Sequence, residues 1–298
     1  MTPVSNTLAG TSLDQRIDDS VADSRVSSAR ATATSLVRAR LAGTAQRAFP
    51  GPLPTDARAA YACQDEAIGL WPDAIAGWKV GLVASELARA WGEDRLTGPI
   101  FARSVRRANG APTPFPVFSG GFAAVEAEFV LVLGRDAPAD KTEWTVAEAR
   151  DMVRAVHIGI ETAGSPLAAI NDLGPAAIVA DFGNNAGLIL GPELPGWRIQ
   201  PPEQWRCESF VDGASVGRGH AGLLPGGAFE SLRFLLARNA QRDRPLRAGD
   251  LISAGAVTGV HTIAAGQSAR VEFAGAGQIR GIAHAFASSA AHAGGSPP

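Results

Sequence analysis

The chain has 298 residues, 46% of them apolar and 19% charged, with a formal net charge of −2 from 27 basic and 29 acidic side chains. That apolar content excludes wholesale disorder and allows one large domain or two modest ones, and the balanced charge leaves no footprint for nucleic acid or an anionic membrane. No run reaches the ~18 apolar residues of a membrane span, and two cysteines, Cys63 and Cys207, make neither a disulfide framework nor a cysteine metal site.

Residues 1–25 carry no sustained apolar periodicity and no apolar leader core, which predicts a disordered tail and a cytoplasmic protein. A helix is expected from about Ala29 to Ala48, ended by the proline-rich loop 49–54. A second begins at Thr55 or Asp56 and puts Ala60, Tyr61, Gln64, Ala67, Ile68 and Trp71 on one stripe. These two helices make a helical N-terminal region over 26–75. From residue 76 to 287 the texture is β-rich, with strands expected at 76–83, 123–134, 155–161, 186–190, 207–211, 214–217, 250–254, 257–263, 268–274 and 278–286. Asp212-Gly213 predicts a hairpin turn. Thr145 and Glu148 have capping-box spacing and open a helix to about Val156; another helix spans about 227–240. Residues 288–298 read as a second disordered tail. Strands and helices do not alternate, so the expected class is α+β with a largely antiparallel or mixed sheet.

The chemistry concentrates in three segments. Along Val125–Leu133, alternation puts Val125, Ala127, Phe129, Leu131 and Leu133 on one apolar face and Glu126 and Glu128 side by side on the other. Their Cα atoms lie about 7 Å apart, so the two charges repel unless water or a cation serves them. Taken alone, this is equally an edge strand with a wet polar face. A third carboxylate, Glu161, ends the strand Val156–Glu161 beside an evident loop. Three carboxylates without cysteine describe oxygen ligands for a hard cation, Mg²⁺ or Mn²⁺ rather than Zn²⁺.

Lys79 is the second signal. Only Lys79 and Lys141 are lysines in this arginine-rich chain. Lys79 sits on the strand face opposite Trp78, between Gly77 and Gly81, which leave room for another group to approach. An amine there could bind a carboxylate or act as an acid or base; the bland alternative is a surface lysine. Gly217–Gly222 matches G-x-G-x-x-G, but Pro225 and the glycines after it deny the helix a dinucleotide site needs. Gln64 reads as a satisfied core amide. The histidines lack metal-ligand spacing, and only His157 shares a face with a proposed ligand.

Gly77-Trp78-Lys79-Val80-Gly81-Leu82, Val125-Glu126-Ala127-Glu128-Phe129, Glu161, Val179-Ala180-Asp181 through Asn184-Asn185-Ala186-Gly187, and Ala248-Gly249-Asp250 through Val257-Thr258-Gly259 occur in that order. Over about residues 30–286 the set resembles the 2-keto-4-pentenoate hydratase and 2-oxohex-3-enedioate (4-oxalocrotonate) decarboxylase branch of the fumarylacetoacetate hydrolase superfamily. The resemblance implies a mixed β-roll behind a small helical N-terminal region, and a homo-oligomer. It also implies Glu126, Glu128 and Glu161 as ligands of Mg²⁺ or Mn²⁺, Lys79 as a substrate-facing amine, and Asp181 and Thr258 near the substrate. Ala254-Gly255-Ala256 stands where the family often carries hydroxyls, leaving Ser253 and Thr258, and Val83 replaces a frequent threonine.

The leading expectation is a metal-dependent lyase on a short 2-oxo or 2-hydroxydienoic acid, a hydratase adding water to the conjugated system. A decarboxylase on a dicarboxylic acid, which should offer a second cationic contact, is the first alternative. A C–C hydrolase of the same superfamily would use a histidine before the carboxylate pair, and none lies between Lys79 and Glu126. A glycosidase has the carboxylates but few aromatics for sugar stacking. A non-catalytic keto-acid or metal-binding relative is the remaining reading.

Overall fold

The computed structural model describes residues 13–286; the tail expected over 288–298 and residues 1–12 of the one expected over 1–25 lie outside the described residues. Helix α1 (Leu13–Ala42) begins well before the expected Ala29. No glycine or proline interrupts that stretch, so no backbone breaker stops the helix where apolar periodicity is missing. It stops at Ala42, short of the expected Ala48, because Gly43 takes φ +64 and turns the chain. Helix α2 (Ala57–Leu70) starts as expected, with Asp56 accepting the Ala59 N–H.

The β-rich part follows as β1 (Ile75–Leu82), α3 (Ser85–Trp91), β2 (Arg95–Phe101), β3 (Val105–Arg107), β4 (Thr113–Val117) and β5 (Phe122–Leu133). Next come α4 (Val146–Asp151), β6 (Val153–Ser165), α5 (Pro175–Ala180), β7 (Asn185–Glu193), β8 (Arg206–Val211) and β9 (Ala214–His220). The chain ends with α6 (Ala228–Ala240), β10 (Leu251–Ser253), β11 (His261–Thr262), β12 (Ser268–Phe273) and β13 (Gly277–Ala285). The capping box of Thr145 and Glu148 is present, yet α4 ends at Asp151 and β-branched Val153 already belongs to β6. The strand expected over 257–263 is mostly loop, since Gly255 and Gly259 take positive φ, and only His261 and Thr262 pair with β5. Asp212 (φ 47) and Gly213 (φ 81) make the expected hairpin turn.

Two mixed sheets result, in the α+β class expected. The larger runs β2-β1-β10-β5-β6-β7-β3, with β11 also on β5; the smaller runs β4-β13-β12-β8-β9. Between them lies the main core. The apolar face of β5 lies there: Phe129 meets Trp205 at 5.4 Å and Phe273 edge-on at 5.6 Å. Helices α4 and α6 touch each other, and Ala149 of α4 and Phe229, Leu232, Leu235 and Leu236 of α6 belong to the same core. The larger sheet curls until β2 and β7 are in contact, so its other face is an interior. That interior holds an apolar cluster of Ile100, Val130, Leu188 and Leu190, and it also receives the second face of β5. The N-terminal helices are not a separate body. Ala33, Leu36, Val37, Cys63 and Ala67 pack with Phe101, Leu167 and Phe182 in one cluster. Among the described residues no helix is long and apolar enough to cross a membrane.

Candidate metal centre

Strand register assembles the three glutamates. Glu126 lies directly opposite Glu161, and Glu128 lies opposite Gly159, in the antiparallel β5–β6 pair. Partners across an antiparallel pair share a face, so all three carboxylates point into the interior of the curled sheet. One oxygen from each lies within 4.8 Å of the others. Glu126 is 6% exposed and the other two are fully buried. Gly159 leaves the space: a Cβ there would stand 2.6 Å from Val130.

Three buried like charges cannot stand alone. Burial pushes the Glu126 carboxyl up to about 7, against the opposing pull of Lys79 and with Glu161 adding to the rise. Burial pushes Glu128 well above the carboxylate range, reinforced by Glu161 and Glu126. Protein donors serve part of the cluster. The Gly255 N–H donates to Glu128 Oε2 (2.6 Å), and Asn185 Nδ2 donates to Glu161 Oε1 (3.0 Å). Glu128 Oε1 and Glu161 Oε2 are buried without a hydrogen-bond partner. Buried acceptors left over at one point, all hard oxygens, fit a divalent cation.

Lys79 stands beside them, its Nζ 3.5 Å from Glu161 Oε1. Burial pulls its ammonium down, but Glu161, Glu126 and Glu128 together outweigh that and hold its pKa above the usual lysine range. It is 6% exposed, so the surface-lysine alternative falls. Glycines surround it as its segment predicts, though the cage is wider than Gly77 and Gly81. Gly98 pairs directly with Lys79 across β1–β2, and a Cβ on Gly183 would lie 3.3 Å from Lys79 Cδ. Ser253 pairs with Lys79 on the other side. It shares the interior face and has a buried, unpartnered hydroxyl.

Gly183 belongs to a turn over residues 182–184 in which Phe182 (φ 57), Gly183 (φ 64) and Asn184 (φ 65) are all left-handed. An L-residue in that region costs about 1–2 kcal/mol. Phe182 is held there by Trp71 and Phe101, with ring centroids 5.4 and 5.0 Å away.

Two expected substrate neighbours are engaged elsewhere. Asp181 is buried and ion-paired with Arg40 at 2.5 Å, and Ser165 Oγ donates to it at 2.6 Å. Thr258 Oγ1 shares hydrogen bonds with Ser209 of the second sheet (2.8 Å) and His261 (3.3 Å). Neither has a hydrogen bond or ion pair to the carboxylates in the structure. His157 Nδ1 bonds the Gly191 carbonyl, outside the cluster. Gln64 is the satisfied core amide its position predicts: it donates to Thr97 and Val179 carbonyls and accepts from Arg242. In the G-x-G-x-x-G segment Gly217–His220 lie in strand β9 and Ala221 and Gly222 in a single 3-10 turn, with α6 starting only at Ala228; Gly217 and Gly219 admit the backbone of Thr258 and Val257. Sequence reasoning gave no role to Asn185 and passed over Arg40 entirely, since no single arginine stands out in an arginine-rich chain.

Residues 79–282 match the fumarylacetoacetate (FAA) hydrolase C-terminal family. The chain is 28% identical to a 2-keto-4-pentenoate hydratase of Burkholderia vietnamiensis over 69% of its own length and 77% of that protein's. It is also 28% identical to one of Paraburkholderia phymatum, over 76% and 85%. Among solved structures, the fold is similar to 4-oxalocrotonate decarboxylase from Pseudomonas putida G7, complexed with magnesium and adipate. The TM-score is 0.71, with 18% identity, covering 86% of this chain and 97% of that one.

Proposed function

We propose that this chain, a member of the FAA hydrolase C-terminal family, is a divalent-metal-dependent lyase acting on a short 2-oxo or 2-hydroxydienoic acid, of the 2-keto-4-pentenoate hydratase kind. The observation that carries the reading is the buried cluster of Glu126, Glu128 and Glu161 beside Lys79, with two carboxylate oxygens left unpaired. The likeness to curated hydratases supports the reaction class.

In this reading Glu126, Glu128 and Glu161 hold Mg²⁺ or Mn²⁺. The ion supplies positive charge that polarises a 2-oxo or 2-hydroxy group and its neighbouring carboxylate. The protein's own part is positional and protonic. Gly255 and Asn185 each fix one oxygen of Glu128 and Glu161, so the remaining oxygens keep their aim. Lys79 Nζ holds the proton that the conjugated system must take up, in a glycine cage that bars competing side chains. The Ser253 hydroxyl, buried and unpartnered, is available to a substrate oxygen or the added water. Ile100, Val130, Leu188 and Leu190 close part of the interior with apolar surface and exclude bulk water. Asp181 and Thr258 support the site through their contacts with Arg40 and Ser209.

A decarboxylase of a dicarboxylic acid would want a second cation at the far carboxylate. The curated relatives that the chain matches are hydratases, which favours the hydratase over it. A homo-oligomer in the cytoplasm, with a catalytic region over 76–287 and a small-molecule acid as its partner, completes the proposal. EDTA treatment should abolish dienoate hydration, and Mg²⁺ or Mn²⁺ should restore it. Glu126→Gln or Glu128→Gln should weaken metal binding far more than the loss of one surface charge would. Full turnover by thoroughly chelated protein would end the metal reading.

A further inference from the structure

Arg40 lies on α1, far in sequence from every residue discussed for the metal centre, yet its guanidinium is buried in the middle of the molecule. All three of its nitrogens are engaged, mostly by the short segment 181–185. Nε donates to Asp181 Oδ1 (2.5 Å), and Nη2 to Asp181 Oδ2 (3.0 Å) and to the Asp181 carbonyl (2.9 Å). Nη1 donates to the Asn185 carbonyl (2.9 Å), and Nη2 also reaches the Gly164 carbonyl of β6 (2.8 Å). Asp181 and Asn185 are the residues immediately before and after the left-handed turn 182–184. One planar group therefore grips both ends of a backbone conformation that L-residues avoid.

What the turn carries makes this grip consequential. Its downstream end is Asn185, whose amide donates to Glu161 Oε1, the oxygen 3.5 Å from Lys79 Nζ. Its middle is Gly183, packed over the Lys79 stem and Gly98. Arg40 itself has no hydrogen bond or ion pair to Glu126, Glu128, Glu161 or Lys79.

We propose that Arg40 is a positioning residue for the carboxylate centre: by clamping Asp181 and Asn185 it fixes the turn that aims Asn185 at Glu161 and seats Gly183 against Lys79. The proposal rests on the metal reading above. It also explains why Asp181 is buried and paired: it is the anion that anchors the clamp. A lysine in place of Arg40 keeps the charge opposite Asp181 but concentrates it at one atom, which cannot span Asp181, Asn185 and Gly164 together.

The test uses the full chain, stripped of metal and titrated with Mn²⁺, with free Mn²⁺ followed by electron paramagnetic resonance. Wild type, Arg40→Lys, Asn185→Ala and the double variant are compared, with thermal unfolding measured on each. Groups that orient a metal ligand from outside typically contribute about 10–100-fold in metal affinity. Each single variant is expected to bind Mn²⁺ at least about tenfold more weakly, and the double variant no more weakly than the worse single, because Arg40 acts through Asn185. A folded Arg40→Lys protein with wild-type Mn²⁺ affinity would overturn the proposal, and so would losses that simply add in the double variant. Should Arg40→Lys fail to fold, Arg40→Met combined with Asp181→Leu removes both buried charges together; it is expected to fold and bind Mn²⁺ weakly, and wild-type affinity there overturns the clamp. Wild-type protein that takes up no Mn²⁺ would overturn the metal reading itself, and the proposal with it. Uptake by wild type with an unaffected Arg40 variant overturns the clamp alone.

Discussion

Glu126 has a measurable signature in the metal-free protein. Burial lifts its carboxyl to about 7 in the fold, against roughly 4.3 for a free glutamate. Between those values the folded state carries a proton that the unfolded chain has lost. Stability from this group is therefore complete below about pH 4.3 and falls as pH rises toward 7. Glu128, pushed up by burial and by Glu161 and Glu126, acts with the same sign. The chelated protein should thus lose stability as pH rises from about 4.3 toward 7, and Glu126→Gln, which cannot titrate, should flatten that slope. Binding Mg²⁺ at pH 6 should release protons, since the ligands must be ionised. Calorimetry in buffers of different ionisation heat measures the release. A Glu126→Gln protein with an undiminished pH slope would show that the burial of this carboxylate is relieved in solution.

Strands and helices tell a less even story. The alternation in Val125–Leu133 disclosed both faces of β5, and the register then delivered Glu161 opposite Glu126. Strands β2 and β4 were not legible. Arg95-Leu-Thr-Gly-Pro-Ile-Phe carries Gly98 and Pro99, and β4 carries Pro114 and Pro116, residues that argue against a strand interior. Both strands lie at a sheet edge, where proline is tolerated because no neighbour needs its missing N–H. In β2 the glycine is essential to the site. A Cβ on Gly98 would stand 2.0 Å from the Phe182 carbonyl oxygen and 2.7 Å from Gly183 Cα, backbone that no rotamer change can move. Gly98→Ala should cost about 1–3 kcal/mol or more in stability and weaken metal binding by displacing the turn over Lys79. Gly69→Ala, in α2 with nothing within 4 Å of its Cβ, should instead gain about 0.5–1 kcal/mol. Chemical denaturation of both variants checks the contrast; a neutral Gly98→Ala would mean that the turn does not sit against β2.

At the scale of the molecule, the sequence divides at about residue 75 into helices and a β-rich region, and the family match begins only at Lys79. That division suggests an appendage on a self-sufficient catalytic unit. The packing argues otherwise. The cluster of Leu36, Val37, Cys63 and Ala67 with Phe101, Leu167 and Phe182 is shared between the two regions, and removing the helices would expose the apolar half contributed by β2, α5 and the left-handed turn. It would also remove Arg40, leaving Asp181 as a buried anion without its partner. Breaking a buried pair from one side typically costs about 3–5 kcal/mol, a large part of the 5–15 kcal/mol that stabilises an ordinary domain. Gln64 of α2 adds hydrogen bonds to the Thr97 and Val179 carbonyls, which the fragment would also leave unpaired. A protein comprising residues 76–286 should therefore lack a cooperative thermal transition and bind no Mn²⁺ stoichiometrically. Circular dichroism melting and Mn²⁺ titration of that fragment decide the matter: a fragment that melts cooperatively and still binds one ion would make the helices accessory and confine the metal centre's support to the β-rich region.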